Sequence, residues 1–328
     1  MTLENKRMLV TGAAGFMASN LVARLSPMDC RVALITRPNA LAPAAFAGRA
    51  RFDHIAGEIG DRKFWEKVLP GADFVFHFAA QTSVYAADQD PAADWQANVL
   101  PMLSLLQACR DSGHRPMILF AATATQFGLP EQVPVNESQP DRPVSIYDRH
   151  KILAEAYLEH YVRMGWACGT SLRLANIFGP GPASGKADRG ILNVMMRRAL
   201  KGESLALYGR GSQMRDYLFV TDAIAAFIAA AAHRDAVNGR HFVLASGEGH
   251  TIAQAFQLVA DRAALLTGRQ VPVTSVPPPP GLSPIEDRSF VGDASRLRAA
   301  TGWAPRVSLS AGIDLTLQSL LAEQSARV

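Results

Sequence analysis

The sequence predicts an α/β fold in which helices cover both faces of a parallel sheet. Short, continuously apolar segments alternate with helical patterns through the first half of the 328 residues. Strands of this kind are typical of parallel sheets, which are buried on both faces. A glycine-rich turn directly follows the first strand, which is typical of a strand that leads into a helix. The composition, 48% hydrophobic and 19% charged, is that of a globular chain.

The predicted strands are runs rich in Val, Ile, Leu and Phe, and they are separated by helical patterns. The six strands are Lys6–Val10, Arg31–Thr36, Phe52–Ile55, Ala72–Phe78, Pro116–Ala122 and Gly169–Leu174. The helices are Met17–Leu25, Asp94–Arg110 and Lys151–Arg163. Pro101 lies inside the second helix, so we expect that helix to begin late or to kink there.

The pattern changes after about residue 176. Gly179–Gly190 is rich in Gly and Pro, and Val276–Gly281 contains four consecutive prolines that exclude a central strand. The apolar run Ala223–Ala232 is too short to span a bilayer and predicts a buried or amphipathic helix. We therefore expect a first domain at residues 1–176. A smaller C-terminal α/β portion would follow at 177–328, with some of its chain returning to the first sheet.

Charge and cysteine content narrow the class of protein. The formal net charge is +4 with no long basic run, which favours a small anionic ligand over nucleic acid. Cys30, Cys109 and Cys168 are odd in number and far apart, and they predict buried thiols in a reducing compartment. The eight histidines show no metal-binding spacing, so no metal is expected. The first residues lead straight into a strand, which predicts a cytoplasmic protein without a signal peptide or membrane segment.

The glycine-rich turn is a candidate dinucleotide site. Gly12 and Gly15 follow the first strand, and the predicted helix opens at Met17, directly after Phe16. Glycines allow backbone N–H groups to approach a pyrophosphate, and the helix N-terminus favours its negative charge. This predicts a Rossmann-type, doubly wound sheet. The second strand ends at Arg37 rather than at an acidic residue, which favours the 2′-phosphate of NADP over NAD, although NAD stays possible.

Tyr147 and Lys151 form a candidate catalytic pair. They stand where a loop becomes a helix, and residues four apart share one helix face. An ammonium near a phenol lowers the pKa of the phenol and favours the phenolate. The pair follows the fifth strand, which ends in Thr123. His77 is expected to be packed and hydrogen-bonded, and His150 to face solvent.

Six motifs in this sequence occur together, in this order, in a known family. They are TGAAGF (11–16), HFAA (77–80), Tyr147 with Lys151, LRLANIFGPG (172–181), YGRGSQMRDYLFVTD (208–222) and TGWAP (301–305). The chain resembles the extended short-chain dehydrogenases/reductases, specifically the NAD(P)-dependent epimerase/dehydratase family that acts on nucleotide sugars. The resemblance extends from residue 6 to about residue 315.

The resemblance implies roles for individual residues. Tyr147 would be the acid/base, Lys151 its pKa partner and a ligand of the nicotinamide ribose, and Thr123 the partner of the reacting oxygen. The implied cofactor-binding residues are Gly12, Gly15, Phe16, Met17, Arg37, Glu58, Ile59, Phe78, Ala79, Ala80, Asn98, Tyr147 and Lys151. The implied substrate contacts are Thr123, Asn176, Arg215 and Arg288.

Two departures from the family pattern bear on the reaction. Dehydratases carry Asp-Glu after the catalytic Thr, whereas this chain has Ala124 and Thr125, which cannot serve as acid or base. A 4,6-dehydratase is therefore not expected. Many members have an Arg-Pro pair where this chain has Ser283 and Pro284, so diphosphate binding would use Arg288 or be weaker.

Three functions stay open at this point. Residues 292–305 are similar to GDP-4-keto-6-deoxymannose reductases, and Arg37 favours NADPH, so a 4-ketoreductase of a nucleotide-linked 4-keto-6-deoxy sugar is predicted. A 4-epimerase with tightly bound NAD is the alternative, because the triplet 123–125 also fits epimerases. A catalytically silent NADP(H)-binding scaffold is a third, but such a protein would normally have lost Tyr147 or Lys151.

The expected partners are a nucleotide-diphosphate sugar and a second copy of the chain. The resemblance implies a homodimer with a four-helix interface, formed by the helices at Asp94–Arg110 and Lys151–Arg163.

Overall fold

The computed structural model describes residues 3–40, 47–182 and 190–325. The strands are β1 (Arg7–Thr11), β2 (Arg31–Thr36), β3 (Arg51–Ala56), β4 (Phe74–His77), β5 (Met117–Thr123), β6 (Cys168–Leu174), β7 (Asn176–Phe178), β8 (Leu205–Tyr208), β9 (Met214–Phe219), β10 (His241–Leu244), β11 (Gly249–Thr251) and β12 (Val273–Val276). The helices are α1 (Phe16–Leu25), α2 (Arg62–Val68), α3 (Val84–Gln89), α4 (Pro91–Asn98), α5 (Leu100–Ser112), α6 (Ile146–Arg163), α7 (Ile191–Leu200), α8 (Val220–Ala232), α9 (Arg234–Val237), α10 (Ile252–Thr267), α11 (Ser295–Thr301) and α12 (Leu309–Ser325).

Seven parallel strands form the large sheet, in the order β3-β2-β1-β4-β5-β6-β10. The predicted doubly wound parallel sheet is confirmed, and all six predicted strands belong to it. The strand order reverses between β1 and β4. In open α/β sheets, ligands bind outside the carboxyl ends of the strands at such a switch point.

The alternation of side chains along the strands builds one core on each face of the sheet. Val10 points to the face covered by α1 and α8, where it joins the cluster that contains Phe227. Its neighbour Leu9 points to the opposite face and joins Leu106 under α2, α5 and α6. Both faces are buried, which explains why the strands are continuously apolar.

The chain after residue 176 builds two smaller sheets, β11-β9-β7 and β12-β8. They enclose a separate core with α7, α10 and α12, and this core includes Met196, Leu205, Phe256 and Ile313. Part of this half packs with the large sheet instead: β10 pairs with β6, and α8, α9 and α11 contribute to the core on one face of that sheet. The boundary at residue 176 stays a prediction.

The helix predicted at Asp94–Arg110 is two helices. α4 ends at Asn98, Val99 lies between, and α5 begins at Leu100. Pro101 falls in the first turn of α5, where its missing N–H leaves no helical hydrogen bond unmade. The expected break is thus confirmed, with its position just before the proline.

Cys30 and Cys109 are buried, as expected, but Cys168 is partly exposed. The expectation of three buried thiols is wrong there, because Cys168 is the first residue of β6, where the strand enters the sheet from the surface. No described helix is long and apolar enough to cross a membrane. Within the described ranges, no cluster of His, Cys, Asp or Glu could hold a metal ion.

Candidate active site

The glycine turn lies between β1 and α1, at the switch point of the large sheet. Gly12 has φ +66°, and a Cβ there would lie 2.9 Å from backbone atoms of Ala79. Gly15 immediately precedes α1, and a Cβ there would lie 2.9 Å from the Gly12 carbonyl oxygen. Gly12 therefore requires glycine both for its positive φ and for the nearby Ala79 backbone. Gly15 requires glycine because the Gly12 carbonyl oxygen leaves no room for a Cβ.

The start of α1 fits a bound pyrophosphate. Gly15 supplies no side-chain cap, and the first turn of α1 carries no acidic residue. N–H groups in a first helical turn lack partners within the helix and favour an anion. The backbone of Phe16 and Met17 would thus hold the diphosphate of a dinucleotide.

Thr11 joins this turn to the loop that follows β4. Its buried Oγ1 accepts hydrogen bonds from the N–H groups of Phe78 (3.1 Å) and Ala79 (3.0 Å), and it lies 3.2 Å from His77 Nδ1. The segment that continues to Ala80 is therefore fixed beside the glycine turn. The packed, hydrogen-bonded His77 is confirmed at 1% exposure. No pattern in the sequence indicated this role of Thr11.

Three of the implied cofactor-binding residues lie at the ends of two adjacent strands. Arg37 is exposed and directly follows β2. Glu58, exposed, and Ile59, half-buried, follow β3, which pairs with β2. Thr36 Oγ1 lies 2.7 Å from His54 Nε2 and links the two strand ends. The structure thus brings Arg37, Glu58 and Ile59 to one edge of the sheet.

The predicted catalytic residues occupy the end of β5 and the start of α6. Thr123 is the last residue of β5, and Tyr147 and Lys151 are buried one turn apart on α6. Ser145 Oγ accepts from the Asp148 N–H (3.2 Å), and Asp148 Oδ2 accepts from the Ser145 N–H (3.1 Å). This capping box fixes where α6 begins and hence which face carries the pair. The Ser-x-x-Asp spacing is a sequence signal for this helix start that our prediction did not use.

The Thr123 hydroxyl is held by the 3₁₀ turn that follows it. Its Oγ1 accepts from the Thr125 N–H (3.2 Å) and lies 2.9 Å from Thr125 Oγ1. The Thr123 N–H donates to Gln126 Oε1 (3.1 Å), which completes a second capping box. These bonds leave the hydroxyl in a defined position at the carboxyl edge of the sheet.

Lys151 is buried over an aromatic ring. Its Nζ lies 4.1 Å from the centroid of the Phe120 ring on β5. Burial lowers the pKa of Lys151 from 10.5 to about 7, while Glu155 and Asp94 oppose the shift. Burial and the Lys151 charge lower the pKa of His77 to about 3, so His77 is neutral. Lys151 can therefore change its charge near neutral pH.

Asn98 lies behind the loop after β4. Its Nδ2 donates to the Gln81 carbonyl (2.9 Å) and to Asp94 Oδ1 (2.9 Å). The other carboxylate oxygen, Asp94 Oδ2, lies 2.7 Å from His150 Nδ1. The expectation that His150 faces solvent is therefore wrong: its side chain is only 15% exposed. The reason is that α4 packs against α6 and presents a buried carboxylate to it.

Two arginines meet in the C-terminal portion. Arg215 on β9 donates to the carbonyl oxygens of Arg288 and Glu286, the second at 2.8 Å. Burial lowers the pKa of both guanidinium groups, and the neighbouring Arg215 charge helps lower the pKa of Arg288 to about 10. The Asp148 carboxyl favours the charged form of Arg288, which places this pair near the catalytic turn. Two crowded cations at one place suit a diphosphate.

Asn176 lies in the same small sheet as Arg215. It opens β7 and is the register partner of Tyr217 on β9, two residues after Arg215. Burial raises the pKa of Tyr217 to about 12. Ser283, in place of the family's Arg, is buried, and its N–H lies 3.5 Å from Tyr85 Oη. The small sheet thus carries two of the four predicted substrate residues, Asn176 and Arg215, and Arg288 is joined to it through the bond from Arg215. Thr123 lies apart from it, at the end of β5.

The segment after β7 returns to the glycine turn. Asn20 on α1 donates through Nδ2 to the carbonyl oxygens of Phe16 (2.9 Å) and Pro180 (3.0 Å). A Cβ at Gly181 would lie 2.7 Å from the Phe16 ring. The C-terminal portion therefore rests on the first turn of α1.

Comparison with known proteins covers nearly all of the chain. The sequence model of the NAD dependent epimerase/dehydratase family matches residues 8–245, which include every strand of the large sheet except the first residue of β1. The UDP-glucose 4-epimerase of Mycolicibacterium smegmatis is 29% identical over an alignment of 323 positions that covers 95% of this chain and 97% of the relative. The GDP-6-deoxy-D-mannose reductase of Pseudomonas aeruginosa is 29% identical over an alignment of 331 positions that covers 98% of each chain. The structure of the Thermus thermophilus UDP-glucose 4-epimerase in complex with NAD is 31% identical, has a TM-score of 0.77, and matches 96% of this chain and 99% of its own.

Proposed function

The chain belongs to the NAD dependent epimerase/dehydratase family, and from this premise we propose that it reduces a nucleotide-linked 4-keto-6-deoxy sugar with NADPH. The family's members among its relatives are nucleotide-sugar epimerases, reductases and dehydratases that use a nicotinamide cofactor. The observation that carries the proposal is the arrangement of Thr123, Tyr147 and Lys151 at the carboxyl edge of the large sheet, with the glycine turn at its switch point.

Each of these three side chains has a distinct task. A nicotinamide bound beside the glycine turn would supply hydride to the keto carbon. The Tyr147 hydroxyl donates its proton to the oxygen that gains negative charge, and the Thr123 hydroxyl orients that oxygen. Lys151, when charged, favours the phenolate that remains on Tyr147. The proton then returns to Tyr147 from solvent.

Arg37 supports NADPH as the reductant. The residues at the end of β2 are Thr36 and the exposed Arg37, so a guanidinium stands where an acidic residue would bind the ribose 2′-hydroxyl of NAD. A guanidinium matches a 2′-phosphate with two parallel hydrogen bonds. A cofactor that is consumed at each turnover fits a reductase.

A 4-epimerase is the second candidate, because the M. smegmatis and T. thermophilus relatives are 4-epimerases. The reductase from P. aeruginosa has the same 29% identity as the epimerase from M. smegmatis, so identity does not choose between the reactions. In an epimerase, Tyr147 would remove and then return the proton of the 4-hydroxyl. Dehydration is not proposed, because Ala124 and Thr125 offer no acid or base next to Thr123.

One set of assays separates the candidates. The purified protein is expected to oxidise NADPH when a nucleotide 4-keto-6-deoxy sugar is added, and not with the nucleotide sugar absent. Tyr147→Phe is expected to lower kcat by about 10²–10⁴-fold. Tyr161→Phe, which alters another buried tyrosine of α6, is the matched control and should retain activity.

Two outcomes would contradict the reductase. Protein that carries NAD through purification, and that interconverts UDP-glucose and UDP-galactose without added cofactor, is an epimerase. Equal activity of the Tyr147→Phe variant and the wild type would remove Tyr147 from either reaction.

A further inference from the structure

Asp94 is a buried carboxylate at the junction of three elements. It lies on α4 with 1% exposure. Its Oδ1 accepts hydrogen bonds from Gln81 Nε2 (2.8 Å) and Asn98 Nδ2 (2.9 Å), and its Oδ2 lies 2.7 Å from His150 Nδ1. A single carboxylate therefore ties α4 both to the loop after β4 and to the first turns of α6.

Each of these contacts leads to the candidate active site. Gln81 directly follows the segment 78–80 that Thr11 fixes beside the glycine turn, and it also holds Ser83 through its side chain. His150 directly precedes Lys151 on α6. The Asp94 carboxylate accepts from the Gln81 side chain and pairs with His150, so it adds a fixed contact to each of them.

Asp94 also contributes charge. The titratable groups around the Lys151 ammonium are Tyr147 and Glu155 on its own helix, Asp94 on α4 and His77 on β4. Glu155 is already bonded to the buried Arg173, and His77 is neutral. Asp94 and Glu155 are thus the two negative charges that favour the charged form of Lys151.

We propose that Asp94, held by His150, is a positioning residue of the reaction that fixes the catalytic turn of α6 against the loop after β4 and supplies negative charge to the Lys151 ammonium. This inference rests on the proposed function for its consequence in catalysis. Its electrostatic part concerns Lys151 itself and is measurable without any substrate.

The first measurement is the ionisation of Lys151 by NMR of ¹³C-labelled lysine side chains. The chain has only six lysines, so few signals are expected, and Lys151→Arg identifies the signal that belongs to Lys151. Asp94→Asn retains the shape and an acceptor oxygen but removes the charge. It is expected to lower the titration midpoint of Lys151 by about one pH unit. Glu159→Gln, which removes an exposed carboxylate from α6, is the control and should leave the midpoint unchanged.

The second measurement is the pH profile of kcat/KM. The charged form of Lys151 is the active one, so Asp94→Asn is expected to move the alkaline limb to lower pH by the same amount as the NMR midpoint. His150→Gln retains a donor to Asp94 and should leave the limb in place. A uniform loss of kcat at every pH, with the Lys151 midpoint unmoved, would overturn the proposal and leave Asp94 a structural residue. If no nucleotide sugar is turned over by the wild type, the proposed function fails, while the NMR result still decides the role of Asp94.

Discussion

Replacement of Lys151 by Met is expected to stabilise the fold while it abolishes activity. Lys151 is 2% exposed, and burial lowers its pKa from 10.5 to about 7. A lysine whose pKa is this much lower in the folded chain than in the unfolded chain reduces the free energy of unfolding by on the order of 4 kcal/mol at pH 7. Met is unbranched, fills a similar volume and packs well against an aromatic ring such as that of Phe120.

The two carboxylates near Lys151 retain other partners in this variant. Asp94 keeps His150, and Glu155 keeps the bidentate Arg173. The substitution therefore removes a costly buried cation without leaving a buried anion unpaired, which is the condition under which such a replacement stabilises a protein.

The pH dependence follows from the lowered pKa. Between about pH 7 and pH 10.5 the unfolded chain holds a proton at Lys151 that the folded chain has released, so this group makes the free energy of unfolding rise with pH. Below about pH 7 the burial cost is complete. The free energy of unfolding of Lys151→Met is therefore expected to exceed that of the wild type by on the order of 4 kcal/mol at pH 7. This difference is expected to fall to about 1 kcal/mol near pH 9.5.

Urea unfolding of the wild type and Lys151→Met at both pH values measures this difference. Lys201→Met, at a lysine whose side chain is 64% exposed, is the control and should change stability by less than about 0.5 kcal/mol. A Lys151→Met protein that is less stable than the wild type at pH 7 would contradict this prediction. It would mean that the attraction of Lys151 to the Glu155 and Asp94 carboxylates outweighs the cost of its burial.

Three further predictions concern the glycine turn, a buried ion network and the assembly. Gly12→Ala should weaken NADPH binding about tenfold in a fluorescence titration, because the added Cβ meets the Ala79 backbone. The control is Gly113→Ala, where φ is a similar +72° but the space around the added Cβ is open, and an equal loss of NADPH binding there would contradict this steric origin. Arg173→Met should lower the free energy of unfolding by about 3–5 kcal/mol, since it leaves Asp141 and Glu155 without their buried cation. Arg142→Met, at an exposed arginine, should lower it by less than about 1 kcal/mol, and similar losses in the two variants would show that burial of Arg173 is unimportant. Light scattering should give twice the 35.3 kDa of one chain, and Leu153→Glu on α6 should halve that mass; a wild-type monomer would remove the predicted four-helix interface.

The parts of the fold that the sequence predicted are those with a local signal. The apolar run of Arg31–Thr36 matches β2 residue for residue, because a strand buried on both faces needs no partner information to be recognised. The break before Pro101 was likewise predictable, since the missing N–H of proline acts within one helical turn. The short segment that forms β10 is different: four residues after a turn carry no mark that assigns them to the large sheet rather than to a small one.

The same distinction applies to the candidate site. Tyr147 and Lys151 are four residues apart, so their common face follows from helical geometry alone. Asp94 and His150 are 56 positions apart, and their pairing depends on how α4 packs on α6. A histidine next to a lysine on a partly polar helix therefore looked like a surface residue. Arg173, Asp141 and Glu155 form another long-range network that no spacing in the sequence reveals.

Asn20 contacts Pro180, and Phe16 lies against Gly181, so the candidate dinucleotide site at α1 is joined to the segment that leaves the predicted substrate strand β7. A dinucleotide bound at the first turn of α1 would also restrain the segment that follows β7. A sugar nucleotide bound at β7 would restrain α1 in the same way. The coupling free energy must be the same whichever ligand binds first. Four dissociation constants around one closed cycle, each ligand with and without the other, would give its sign and size.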